Sequence, residues 1–533
     1  MKQTGLNRRK FLHLTAGGTA VSLLDPLNVA LAQQHGSGIS QSPEADPSFV
    51  ADIELELIAA EKSSPILEGS ATQLWQYDGR VLTGSADSLS WLPGDQIPVI
   101  RVRNGQRMRI YFHNRLPEES IIHWHGLHMP QKMDGHPMYA IGTGQTYVYE
   151  FTVEMRAGTY WFHPHPHLRT GAQVYRGLTG LFIIEDDESL NAGLPAGEYE
   201  LAWVLQDRLF NADNQLVYST RHMDMMTGFT GDRILVNGRP DYIEQVSAST
   251  YRVRILNGSN SRFYKLAWSD NSPIVVIGSD GGLLEAPVEK SYVMIAPAER
   301  LELWLDCSGD KPGSERILQS QSFSSGMMMG MGGMGMGMGR GMMGGGMGMR
   351  GGSSLANGAA FDVLKVRVDR QGGKVTPLPS KLSTINWPDR AAAINTDTPR
   401  SVHMQMGMGT VSLNNRTFDM MEAAADERVT PGTTEIWEFV NTSGHMAMSH
   451  PMHIHNVQFQ VIERQQDAAQ EGIYQTMRDG LVDEGWKDVV IVMPGERVRV
   501  LLRYNDHTGL YLYHCHILEH EDLGMMRNYL AQA

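Results

Sequence analysis

The sequence predicts an all-β protein made of three related β-sandwich domains, and three observations carry that expectation. Much of the chain consists of short runs rich in Val, Ile, Tyr and Trp set between turn residues, with 56 Gly, 24 Pro and only 20% charged residues. The 533 residues have room for about three domains of ordinary size. A strand–turn–strand pattern also recurs: IPVIRVRNGQRMRIYFHNRL, ahead of IIHWHG, is matched by SASTYRVRILNGSNSRFYKLAW and by RVTPGTTEIWEFVNTS, ahead of MSHPMHIH. FTVEMRAGTYWFHPHPH in the first unit likewise matches VLLRYNDHTGLYLYHCH in the last. These repeats place the domains at 45–190, 195–375 and 376–533, with the Pro-containing stretch PLPSKLSTINWPDRAAAINTDTPR leading into the third.

Ahead of the first domain, residues 1–32 read as a twin-arginine signal peptide. Arg8 and Arg9 precede a short apolar run, and Ala30-Leu31-Ala32 supplies an A-x-A cleavage site. The apolar run is too short and interrupted to span a membrane. This route exports folded proteins, so the expected location is the periplasm. The formal charge is −14, and the first 32 residues carry a net +3, which leaves −17 on the remainder. Such an acidic surface argues against a nucleic-acid partner and tolerates cationic substrates. The chain is expected to act as a monomer. Only Cys307 and Cys515 are present. No disulfide pair is expected to hold this exported chain, because Cys515 lies in a ligand-like setting and Cys307, within LELWLDC, reads as a buried structural thiol.

Within the middle domain one segment departs from the rest. Gly326 to Met349 is almost wholly Met and Gly, with eleven Met. It offers no strand or helix period, and Gly costs backbone entropy, so a loop between late strands is expected over 326–349. A neutral spacer would be built of polar residues. Thioethers are soft ligands that select Cu(I), which favours copper recruitment.

The histidines carry the chemistry. In YHCHILEHEDLGMM, a strand would turn His514 and His516 to one face and Cys515 to the other, so one strand would touch two metal sites. Cys515, His520 and Met525 fall at intervals of five and, with a second His, make the His2Cys-plus-Met set of a blue-copper electron-transfer centre. Zinc does not favour the thioether. His450, three residues before His453 and followed by Pro451, points away from the pair beside it and is the missing second His. Four H-x-H pairs remain: His123 and His125, His163 and His165, His453 and His455, His514 and His516. Their eight imidazoles suffice for three copper ions with positions left for O2. An electron reaching Cys515 would pass through its backbone to His514 and His516. Asp134 and Glu521 lie beside these motifs and are candidate acids for the protons that O2 reduction needs.

HWHG, WFHPH, HPxHxH and HCHxxxHxxxGM together resemble the four copper motifs of the multicopper oxidases. The order, with a ligand-free middle domain, is similar to the three-domain laccase-like members. Within these, the twin-arginine signal, HPHPHLRTGAQ, GLTGLFIIEDD, NNRTFDM and HCHILEHEDLGMM resemble the bacterial copper efflux oxidases of the CueO type. The resemblance spans nearly the whole chain after residue 32. It implies three cupredoxin-like Greek-key β-sandwiches and four copper ions per chain. Type 1 copper would be held by His450, Cys515, His520 and Met525, and type 2 copper by His123 and His453. The type 3 pair would be held by His125, His163, His165, His455, His514 and His516. Asp134 and Glu521 fall where the family has proton-relay acids.

The resemblance also implies O2 as acceptor and Cu(I) as donor, with small organic reductants as the laccase alternative and a non-catalytic copper carrier as a third reading. The chain departs from the copper efflux group in its Met-rich insert, which falls in the second domain rather than early in the third. Met406 and Met448 sit where that group has thioethers for substrate Cu(I), and Met404, Met408 and Met446 are further candidates. The accompanying aspartates are not evident, Met446 standing where one is expected.

Overall fold

The computed structural model describes residues 43–94, 96–326, 355–407, 409–442 and 448–533. The signal-peptide segment, Met327 to Met349, Met408 and Met446 lie outside the described residues.

Alternation of side chains builds the first sandwich. In Ile53–Ser64 the residues Ile53, Leu55, Leu57 and Ala59 are buried while their neighbours are partly exposed, the period of a strand with one face on a core. This strand lies in a four-stranded sheet in the order Thr72–Thr83, Ile53–Ser64, Arg107–Asn114, Thr146–Thr152. A five-stranded sheet runs Leu89–Trp91, Pro98–Arg103, Gly180–Glu185, Gly158–Pro164, Ile122–His125. Both sheets contribute to one core, with Leu55, Tyr77 and Ile110 from the first meeting Trp124, Phe162 and Phe182 from the second.

The last third of the chain repeats this plan. One sheet runs Thr410–Leu413, Arg400–Gly407, Thr434–Asn441, Glu496–Arg503, Phe459–Gln466. The other runs Arg428–Val429, Met526–Ala531, Gly509–Cys515, His450–Ile454, Val489–Val492. The duplication extends to register. His123 pairs with His163 across one antiparallel ladder, and His453 pairs with His514 across its counterpart. Between these units, a seven-stranded and a five-stranded sheet spanning residues 200–370 share a core that includes Trp203, Val253, Leu266 and Val366. Cys307 is buried in that core, and burial pushes its thiol up to about 12. A smaller apolar cluster, with Trp161, Val204, Leu256 and Val489, joins all three sandwiches.

The Met/Gly run sits where two strands would otherwise be joined by a hairpin turn. Glu315–Ser320 pairs antiparallel with Phe361–Arg370, with Ser320 opposite Phe361.

One buried ion pair braces the strand that carries Cys515. Glu427 accepts from Arg527 Nε (2.8 Å) and Nη2 (2.7 Å) and from the Tyr513 hydroxyl (2.9 Å), and both charged side chains are almost fully enclosed. Glu427→Ala leaves the guanidinium and the phenol without this acceptor. It is expected to lower stability by about 3–5 kcal/mol, measured as a fall in urea midpoint. An unchanged midpoint would show that the pair does not brace the strand.

Candidate metal centre

The eight paired histidines converge in one place between the outer sandwiches, and all are at most 1% exposed. Two ring stacks join the two units face to face: His123 on His455 (centroids 3.7 Å) and His125 on His453 (3.8 Å). Trp124, between His123 and His125 in sequence, points the opposite way into the first core, against Tyr149 and Phe162.

Hydrogen bonds around the rim set the rings. Nδ1–H of His123 donates to the Asp134 carbonyl (2.6 Å), that of His163 to the Pro164 carbonyl (2.9 Å), that of His453 to the Asp488 carbonyl (2.7 Å) and that of His514 to the Cys515 carbonyl (3.1 Å). His455 Nδ1 donates to Asp134 Oδ2 (2.8 Å). A backbone carbonyl can only accept, so the four carbonyl bonds leave Nε2 of His123, His163, His453 and His514 as bare lone pairs. Nε2 of His123, His163, His165, His453 and His516 has no hydrogen-bond partner although buried. Nε2 of His455 lies 3.1 Å from Nε2 of His514, two acceptors facing one another. Buried acceptors aimed at each other are stable only with a shared cation between them. Several of the rings fall into ligand-sized triads, among them His123, His453 and His455, and also His165, His455 and His514.

The second constellation lies on the other face of Gly509–Cys515. His450 Nδ1 is 3.4 Å from Cys515 Sγ, and His520 Nδ1 is 3.7 Å from it. The three ligand atoms form another such triad. Met525 is fully buried and is laced to them through the backbone: its N–H donates to the His520 carbonyl (2.8 Å), and its carbonyl accepts from Cys515 N–H (3.1 Å). The Ile517 N–H also donates to Cys515 Sγ (3.4 Å), a contact that stabilises a thiolate. Without a cation, burial pushes the Cys515 thiol up, so the site calls for a thiophilic ion.

Both predicted acids are buried at the histidine cluster. Asp134 is fully enclosed, and burial pushes its carboxyl well above the ordinary range. Glu521 Oε2 lies 3.3 Å from His514 Nδ1, and its Oε1 lies 3.6 Å from His165 Nε2. Burial, reinforced by Asp522 and Glu519, pushes Glu521 up as well.

The methionines separate by environment. Met404 and Met448 are buried in the third core, which also contains Cys515 and Met525, and Met406 packs against it partly buried.

Three neighbours escaped the sequence reading, two of them, Asp488 and Arg300, because nothing local marks them. Asp488 accepts from His125 Nε2 (3.0 Å), and Arg300 grips Asp488. The Met226 carbonyl, in the short helix His222–Thr227, accepts from His520 Nε2 (3.1 Å) and so covers the outer edge of that ring. The HMDMM string around Met226 was the one available signal.

Burial lowers the cluster histidines, His163 to about 3 and His514 to about 4, and lowers His520 to about 4. In the unfolded chain these groups titrate near 6.5. These histidines therefore make their full contribution to the stability of the metal-free fold above that value. That contribution is lost as pH falls through 6.5 towards 4, because the unfolded chain takes up protons that the fold refuses. Each such group contributes about 1.4 kcal/mol per pH unit in this window. Urea midpoints of metal-free protein should fall steeply from pH 7 to pH 5, and a flat profile would contradict the burial of neutral imidazoles.

A thiolate–imidazole–thioether set, joined through the backbone at Cys515 to a buried histidine cluster, defines a copper redox protein of the cupredoxin-like class. Comparisons place it further. Residues 87–189 and 393–533 match two family models, each described as multicopper oxidase. A multicopper oxidase of Staphylococcus haemolyticus is 30% identical over 80% of each chain. A laccase of Bacillus stratosphericus is 29% identical over 86% of this chain and 90% of its own. The crystal structure of the multicopper oxidase McoA of Aquifex aeolicus is 33% identical, has a TM-score of 0.74 and covers 91% of this chain and 97% of its own. The chain belongs to the multicopper oxidase family and is a copper-dependent oxidoreductase that uses O2 as acceptor.

Proposed function

We propose that this chain is a cuprous oxidase of the periplasm, exported by the twin-arginine route, which removes one electron from each Cu(I) and passes four to O2 to make water. Type 1 copper is assigned to His450, Cys515, His520 and Met525. Type 2 copper is assigned to His123 and His453, and the type 3 pair to the other six paired histidines. The bare, inward-facing ring nitrogens and the Cys515 triad fit these four ions. Bound there, copper supplies one-electron exchange beside Cys515 and an O2-binding centre among the imidazoles. The chain itself supplies a covalent route from Cys515 to its neighbours His514 and His516. Asp134 and Glu521 hold protons at the cluster's edge.

The observation that carries the choice of Cu(I) is the run of eleven Met, taken with where its two ends are anchored. Phe323, just before the run, packs against the third core with Cys515 and Met525. Just after it, Asn357 donates to the Ser261 carbonyl (3.4 Å), and the Ser261 hydroxyl donates to Glu519, next to His520 in sequence. Both ends thus border the third sandwich, the second of them two hydrogen bonds from Glu519.

Deletion of 326–349 tests the reading. Loss of Cu(I) oxidation by about 10-fold or more in kcat/KM, with phenol oxidation kept or raised, is the expected result. Unchanged Cu(I) oxidation would make the run a spacer. A main role as a laccase, which the name of the Bacillus relative favours, predicts that the intact enzyme turns over a phenol faster than Cu(I).

A further inference from the structure

The middle sandwich supplies none of the ligands assigned above, yet its Arg300 grips Asp488, the residue that holds His125. Arg300, at the start of strand Arg300–Asp306, is fully buried, and all five of its side-chain N–H groups are used. Nη1 donates to Asp488 Oδ1 (2.6 Å) and the Ala298 carbonyl (2.9 Å). Nη2 donates to Asp488 Oδ2 (2.5 Å) and the Asp280 carbonyl (3.0 Å), and Nε to the Thr159 carbonyl of the first sandwich (2.9 Å). Ala298 is held at φ 71°, a costly backbone conformation for a residue with a Cβ, and its carbonyl is one of these acceptors. The fork therefore fixes Asp488, in the third sandwich, in a single plane.

Asp488 in turn touches two cluster histidines in opposite senses. Its carbonyl accepts from His453 Nδ1 (2.7 Å), whereas its carboxylate accepts from His125 Nε2 (3.0 Å). His123, His163, His453, His455 and His514 all donate outward through Nδ1. His125 is reversed: its Nε2 is spent on Asp488, and its Nδ1 is the buried atom without a partner.

We propose that Arg300 and Asp488 form a positioning clamp that holds the His125 ring reversed, Nδ1 towards the cluster, so that the ligand-free middle sandwich controls assembly of the histidine cluster. One arm of the clamp comes from each of two sandwiches, and the ring it holds belongs to the remaining one. Lysine keeps the charge but has a single nitrogen, so it cannot present the two parallel N–H donors that fix the plane of Asp488. The inference rests on the reading of these imidazoles as copper ligands, and wild-type copper content tests that reading separately.

Arg300→Met, Arg300→Lys and Asp488→Ala should be purified, loaded with copper and compared for copper per folded chain, blue absorption, and ring orientation in a crystal structure of metal-free Asp488→Ala. The expected result is blue absorption per folded chain as in wild type, with copper affinity at the cluster lowered by about 10–100-fold. Arg300→Lys should fall between Arg300→Met and wild type, and the His125 ring should be turned in Asp488→Ala, which removes its acceptor. Should Arg300→Met not fold, the other two variants decide. Full copper content in the folded variants would overturn the proposal. So would loss from both centres in equal proportion, which marks a packing role alone. Wild-type protein that binds copper only at Cys515 would instead overturn the ligand reading.

Discussion

Cys515→Ser is expected to abolish blue absorption and to lower reductant-driven O2 consumption by a factor on the order of 10³ or more, about 4 kcal/mol of barrier. The thiolate is the one soft anionic ligand of its centre, placed 3.4 Å from His450 Nδ1 and 3.7 Å from His520 Nδ1. It is also the start of the backbone route to His514 and His516. A hydroxyl keeps nearly the same volume and can still accept from the Ile517 N–H, so metal-free stability should change by no more than about 1.5 kcal/mol. Elemental analysis should show the Cys515 copper lost and the histidine cluster still loaded, since its ligands project from the other face of the strand. Turnover above a tenth of wild type would mean that electrons reach O2 by another path.

Asp134→Ala is expected to cost about 10–100-fold in O2 reduction or in copper affinity at the cluster. Its carboxylate is the only hydrogen-bond acceptor for His455 Nδ1 among the described residues, and its own carbonyl holds His123, so the loop Asp134 belongs to orients rings from both outer sandwiches. Asp134→Asn separates orientation from proton delivery. An amide oxygen can still accept from His455, but an amide cannot hand over a proton at neutral pH. If Asp134 delivers protons, the Asn variant should keep its copper and accept electrons from reductant normally, while O2 reduction is as slow as in Asp134→Ala. Asn behaving as wild type in both half-reactions would leave Asp134 a role in orientation alone.

The kind of chemistry and much of its layout are local properties of the chain. Ligand type is written in the residue, and spacing within a strand sets faces, so His514 and His516 could be separated from Cys515 before any tertiary contact was known. The duplicated strand pairs were legible for the same reason: alternation and turn residues are local, and both copies retain them. His450 could be told from His453 because Pro451 and an odd offset break the shared face.

Other features depend on groups distant in sequence and arise only on folding. Which nitrogen each ring presents follows from acceptors such as the Asp134 carbonyl, 11 residues from His123, and Asp488, 363 residues from His125. Asp134 and Glu521 could be read from sequence as ordinary surface carboxylates, and only packing of the outer sandwiches against each other encloses both. The cover over His520 and the clamp on His125 come from Met226 and Arg300 of the middle unit, each far in sequence from the ring it acts on. Hydrogen-bond direction and burial are properties of assembled surfaces, and no periodicity within one segment encodes them.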